Sequence, residues 1–176
     1  DFKMKTPDGK NFQFSKWVKG KKGKTVVLDF WASWCPDCRK DAPEVVRLYE
    51  KYRQYGVEFI GISMDTDVEA WKKAIEKYGI KYPQVSELKK FKETDIAKAY
   101  GVKWIPSMVV VGPDGEVKLS TVLTYKVDKY LKELTTGKYA GPGKGETVFI
   151  DGDHGFSQNI YRTTDIVSDY LMKQLK

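Results

Sequence analysis

Asp29-Phe30-Trp31-Ala32-Ser33-Trp34-Cys35-Pro36-Asp37-Cys38 holds the only two cysteines of the 176-residue chain. The pair follows an apolar run over residues 25–31 and precedes a long helical pattern. Two cysteines separated by two residues on the first turn of a helix form a dithiol that can close into a disulfide and reopen. The helix N-terminus offers partial positive charge and unpaired N–H groups, which favour the thiolate of the first cysteine. That thiolate is the species that attacks another disulfide. A structural zinc site normally needs four ligands, and beyond the two cysteines the chain offers a single histidine, His154. A structural staple is disfavoured because so short a loop removes little unfolded-chain entropy, about 2 kcal/mol or less. A strand–CxxC–helix context with Pro36 at the first helical position reads as a redox site.

Working outward, 41% hydrophobic and 14% aromatic residues are enough for one well-buried domain, while the length is short for two. Lys plus Arg number 31 against 24 Asp plus Glu, a net charge of +7. The densest basic cluster, Lys19, Lys21, Lys22 and Lys24, is interspersed with Gly20 and Gly23 and reads as a solvated loop. Nucleic acid is therefore not an expected partner. No apolar stretch approaches the length of a membrane span. The chain opens at Asp1 without a signal-type segment, which fits a cytosolic protein or the mature form of an exported one.

Residues 11–14 alternate weakly and suggest a short strand before the basic loop. Residues 25–31 read as a central strand covered on both faces. Helical spacing over residues 36–55 (Val45, Leu48, Tyr49, Tyr52) ends at Gly56. A second buried strand is expected at residues 57–64 and a helix at residues 68–78, closed by Gly79. A short strand at 82–85 and a short helix at 95–100 follow. Residues 107–111, the turn Gly112-Pro113-Asp114-Gly115 and residues 116–122 carry a strong hairpin signal. A last core helix is expected over residues 127–134. The alternation gives an α/β domain with a mixed central sheet flanked by helices.

Three stretches carry a family likeness: Val27-Leu28-Asp29-Phe30-Trp31-Ala32-Ser33-Trp34-Cys35, Pro43 five residues after Cys38, and Trp104-Ile105-Pro106-Ser107 before the hairpin. With them, over roughly residues 11–136, the chain resembles the thioredoxin superfamily. It is most similar to the TlpA-like and ResA-like branch of bacterial thiol-disulfide oxidoreductases, which are exported. The resemblance implies a thioredoxin-like fold and disulfide exchange with protein thiols or disulfides and an upstream redox partner, without a cofactor. It makes Cys35 the attacking nucleophile, Cys38 the resolving thiol and Pro106 a cis-proline facing them. Ile105 would offer its backbone to the partner segment, with Trp34 and Pro36 beside it as substrate-binding residues. An exported location, such as periplasm or cell envelope, follows from the branch.

Asp29 stands inside an apolar strand, where desolvation should raise its pKa and suit it to exchange a proton with Cys38. Asp37 fills the slot where thioredoxins carry proline, and should tune the dithiol. The lysine that thioredoxins place near the buried acid is missing from the next strand, Val57-Glu58-Phe59-Ile60-Gly61-Ile62. Two rival readings are a peroxiredoxin-type thiol peroxidase and a non-catalytic binding module on a thioredoxin scaffold. The peroxidase usually places a Pro ahead of its cysteine, and here Ser33-Trp34 stands there instead.

The expected domain is residues 1–136, followed by a Gly/Pro-rich linker at 137–146 and a C-terminal extension at 147–176. Within the extension, residues 147–150 suggest a strand and residues 157–175 a helix with one apolar stripe. Asp151-Gly152-Asp153-His154-Gly155 lacks the distal Glu of a calcium loop and reads as a polar turn, so no metal site is expected.

Overall fold

A computed structural model describes residues 2–137 and the two-residue strand Val148–Phe149. The fold is built on β3 (Val26–Trp31), whose six residues are all buried. That is the pattern of a strand covered on both faces, as the continuous apolar run requires. Parallel to β3 lies β4 (Glu58–Ser63), and antiparallel on its other side lies β6 (Ser107–Val111). Outward from β4 come β5 (Gln84–Ser86), β1 (Lys3–Lys5) and β2 (Asn11–Gln13); outward from β6 come β7 (Val117–Thr121) and β8 (Val148–Phe149). The eight-stranded mixed sheet therefore runs β2-β1-β5-β4-β3-β6-β7-β8.

Helix α2 (Pro36–Tyr52) leaves the carboxyl end of β3 after a four-residue loop and covers the sheet face that carries Val27, Asp29 and Trp31. Tyr49 of α2 packs against Phe59 and Tyr82, with ring centroids 5.7 and 5.3 Å apart. Helix α5 (Thr124–Thr135) lies beside α2, tied to it through Asp128. The Tyr52 hydroxyl donates to Asp128 Oδ1 at 2.6 Å, and Lys51 Nζ lies 2.9 Å from the same carboxylate. On the opposite face, Phe30 stacks at 5.9 Å on Tyr100, which follows α4 (Asp95–Ala99). Helix α3 (Val68–Lys77) starts at Asp67, whose side chain caps the N–H groups of Glu69 and Ala70, and it buries Trp71 completely.

Several boundaries depart from the sequence reading. Phe14 does not continue a strand; it opens α1 (Phe14–Lys19), which runs up to the basic stretch read as a loop. Phe14 and Val18 are buried there, four residues apart on one helical face, and draw the segment onto the sheet. Lys21 and Lys24 are not simply solvated, because both reach Glu58, at 3.3 and 2.9 Å. β1 carried no usable signal, being three residues long with a single apolar residue, Met4, between two lysines. The strand expected at residues 147–150 coincides with β8. The helix expected at residues 157–175, the polar turn at 151–155 and the linker beyond Gly137 lie outside the described residues.

A row of register partners crosses the sheet at Asp29, Gly61 and Gln84. The Gln84 side chain lies over the Gly61 backbone, where any Cβ at position 61 would collide with its amide. Its Oε1 accepts a hydrogen bond from the Trp31 indole at 2.9 Å. The glycine is thus required by a side chain from the neighbouring strand rather than by backbone conformation. Gly61→Ala should displace Gln84 and destabilise the domain by about 1–3 kcal/mol, as overpacking does. Urea unfolding checks this, and an unchanged midpoint would mean that Gln84 has another place to go.

Candidate active site

Cys35 is the N-cap of α2, with extended backbone angles, and Pro36 occupies the first helical position. Proline fits there because its missing N–H would have had no intrahelical partner. Cys35 and Cys38 are joined as a disulfide, and the Cys38 N–H points at Cys35 Sγ across 3.2 Å. A helix-end N–H aimed at this sulfur is the local interaction that favours its thiolate once the bond opens. Cys35 is not at an exposed helix start, as a lone helix would suggest. It is 5% exposed against 3% for Cys38. What meets solvent is its neighbour Trp34, 53% exposed.

Across from the disulfide the Ile105–Pro106 bond is cis. The Ile105 carbonyl oxygen stands 3.7 Å from Cys35 Sγ, and Ser107 anchors the turn by donating to the Trp104 carbonyl at 2.7 Å. Residues separated by some 70 positions in sequence thus face one another. Trp104, 54% exposed, stands just before them as Trp34 stands just before Cys35.

Behind the disulfide, Asp29, Cys38 and Pro106 line one narrow cleft, together with Trp31, Asp41 and Tyr82. Asp29 is buried, and the Tyr82 hydroxyl donates to its Oδ2 at 2.8 Å. Burial pushes the Asp29 carboxyl up to about 7; the Tyr82 hydrogen bond pulls it down, and the Asp41 charge adds to the rise. Burial and the adjacent acid push the Tyr82 hydroxyl well above its ordinary range, so it stays a donor. Sequence reasoning missed Tyr82. It occupies the role left open by the absent lysine, but a neutral donor lowers a carboxyl less than a cation would. Nothing local marks it, because Tyr82 lies 53 residues from Asp29 in the chain.

Asp65 was also missed. It is buried at the carboxyl end of β4 and accepts from the Ser33 N–H at 3.0 Å, from the Ser33 hydroxyl, and from the Ser63 hydroxyl at 2.7 Å. This carboxylate fixes the loop that delivers Cys35. Sites in open α/β sheets gather beyond the carboxyl ends of adjacent strands, and that rule would have singled out an acid two residues after β4. Asp37, by contrast, points away from the protein, its side chain 77% exposed and 3.9 Å from Lys40. Among the described residues no group of three or more His, Cys, Asp or Glu is arranged to hold a metal ion. No helix among them is long and apolar enough to cross a membrane.

The family model described as AhpC/TSA family matches residues 1–120. The chain belongs to the AhpC/TSA family. Thiol-disulfide oxidoreductase ResA of Bacillus thuringiensis is 34% identical over 121 residues, covering 67% of this chain and 68% of that one. Its Bacillus subtilis counterpart is 25% identical over 144 residues, covering 80% and 76%. Among solved structures, a thiol-disulfide oxidoreductase from Bacteroides fragilis superposes with a TM-score of 0.65 at 26% identity, over 76% of this chain and 96% of its own. With a thioredoxin-like fold and a joined Cys35–Cys38 pair, this member of the family is a thiol-disulfide oxidoreductase.

The raised Asp29 carboxyl carries a stability cost with a definite sign. Between its ordinary value of 3.8 and about 7, the unfolded chain gives up this proton while the folded one keeps it. Stability should therefore fall as pH rises through that window and level off above it. Asp29→Asn removes the penalty, so its stability relative to the parent should climb from pH 4 to pH 7, by about 4 kcal/mol at most. Chemical unfolding at pH 4, 5.5 and 8 checks this. A constant difference between variant and parent would show that Asp29 titrates normally.

Proposed function

We propose that Cys35 and Cys38 divide the exchange between them, Cys35 attacking the partner and Cys38 resolving. In the reductive direction, the Cys35 thiolate attacks one sulfur of a partner disulfide. A Cys35–partner bond forms, the partner disulfide breaks, and the second partner sulfur leaves as a thiolate. Cys38 then attacks Cys35 Sγ, closing the intramolecular disulfide and expelling the first partner sulfur. Two electrons pass to the partner, and the protons needed for two thiols come from Cys38 and solvent. In the oxidative direction every step runs backwards. Atoms and electrons balance on four sulfurs alone.

One observation carries this reading: Cys35 Sγ sits at the N-terminus of α2, 3.7 Å from the carbonyl before Pro106. An extended partner segment laid across Ile105 and Pro106 would bring its cysteine to Cys35, with Trp34 and Pro36 forming the other bank. Asp29, which shares a cleft with Cys38, takes the proton of Cys38 as that thiol attacks and returns it in the reverse direction. The partners are protein thiols or disulfides, with an upstream redox protein restoring the starting state. An extracytoplasmic setting accords with the likeness to the exported branch.

Cys38→Ser should accumulate mixed disulfides with a partner through Cys35, whereas Cys35→Ser should accumulate none. Non-reducing electrophoresis followed by mass spectrometry reads the outcome, and wild-type turnover in both variants would overturn the division of labour. Asp37→Asn gives a second test. Its carboxylate opposes a Cys35 thiolate by charge, so neutralising it should lower the Cys35 pKa and make the disulfide more oxidising. Exposure and the nearby Lys40 screen that charge, which keeps the effect small. Thiolate absorbance titrated against pH checks it, and a Cys35 pKa that rises would contradict it.

A further inference from the structure

Beside the dithiol lies a second cleft, of about 480 Å³, which the exchange chemistry does not require. Trp34, from the loop that carries Cys35, lines it together with Met64 and with Phe91 from the segment after β5. The lining is predominantly apolar, while the rim carries Lys90, Lys92 and Glu93. All three rim residues are exposed, and neither lysine makes an ion pair among the described residues.

The segment after β5 is held in place by specific interactions. Leu88, the one non-glycine residue with positive φ among those described, sits at +53°. A branched apolar side chain is uncommon there and persists only where surroundings enforce it. Ser86 does so: its hydroxyl donates to the Ser63 carbonyl at 2.9 Å and accepts the Leu88 N–H at 3.0 Å. Downstream, the buried Glu87 carboxylate accepts the Ile96 N–H at 2.9 Å, and Thr94 closes the turn by donating to the Phe91 carbonyl at 2.7 Å. The cleft is continuous with the dithiol, because Trp34 adjoins Cys35 and its indole N–H reaches the Met64 carbonyl at 3.4 Å.

We propose that this cleft is the specificity pocket for the partner polypeptide. Its occupant is a large apolar side chain, aromatic or leucine-sized, on the segment that carries the partner's reactive cysteine, with a carboxylate beside it. The proposal rests on the dithiol reading, since only a segment bonded to Cys35 is held against Trp34. Because Trp34 lines the cleft and adjoins Cys35, the apolar side chain lies on a residue close to the cysteine. Two lysines with no ion pair among the described residues, against one glutamate, give the rim a positive balance, which selects the acidic neighbour and rejects a basic one.

The test uses short peptides whose single cysteine is in mixed disulfide with 2-mercaptoethanol, reduced by the full chain with its dithiol open. One set carries Phe and Glu at scanned positions beside the cysteine, a second has Ala for Phe, and a third has Lys for Glu. The wild type should favour the first set over the second by about tenfold or more in kcat/KM, the range for filling an apolar pocket. Phe91→Ala should erase that preference, and the double variant Lys90→Glu/Lys92→Glu should reverse the choice between Glu and Lys. Both variants should reduce bis(2-hydroxyethyl) disulfide at the wild-type rate. The lysine variant alters exposed side chains only, so it decides the charge question even if Phe91→Ala folds poorly. Equal rates on all three peptide sets, with normal reduction of the small disulfide, would overturn the pocket and leave the dithiol standing. A wild type inert toward the small disulfide would overturn both.

Discussion

The central constraint at this site is a carboxyl group placed in a strand that is buried along its whole length. The strand is β3, and Asp29 lies in its middle. An isolated buried carboxylate is expensive, so burial pushes the acid up to about 7, and the Tyr82 hydroxyl donates a hydrogen bond to it. A group that changes its proton near neutrality is what a thiol exchange needs, because one sulfur must lose a proton as another gains one. On the proposed reading, the stability given up at Asp29 keeps a proton carrier beside Cys38. Such local costs inside an otherwise consistent sequence commonly mark a working site.

The rest of the architecture brings three chain segments to the carboxyl end of β3. The four-residue loop after β3 delivers Cys35 to the N-terminus of α2, and buried Asp65 at the end of β4 fixes that loop through Ser33. The turn before β6 brings Ile105 and Pro106 from the other side. Antiparallel pairing of β6 with β3 aligns Met108 with Asp29, which places the preceding turn over the cysteines. Sheet register therefore sets the geometry of the chemistry, while the hydroxyl and carboxylate contacts make it rigid.

Much of this was legible in the sequence because the signals were local. The continuous apolar strand, CxxC, proline at the helix start and glycine after each helix are statements about adjacent residues. From them follow β3, α2, α3, α5 and the hairpin to within a few residues. The polar residue inside β3 likewise announced a buried acid. What could not be read was everything that requires two distant segments to meet. Tyr82 as the donor to Asp29, Asp65 as the clamp on Ser33, and Gln84 over Gly61 are all cross-strand or cross-loop pairs. α1 was hidden by its shortness and its two lysines, since only Phe14 and Val18 of its six residues are buried. The depth of Cys35 is of the same kind, because the turn of Ile105 that stands against it belongs to another part of the chain.

The most direct test of Asp29 as the proton carrier is the single-turnover rate at which Cys38 resolves a preformed Cys35–peptide mixed disulfide, measured from pH 5 to pH 9. In the wild type the rate should rise through an inflection near pH 7, as Asp29 becomes able to accept the Cys38 proton. In Asp29→Asn the inflection should vanish and the rate at pH 7 should drop by about 100-fold, the lower range for losing a general base. A variant that keeps both the inflection and the rate would contradict the account.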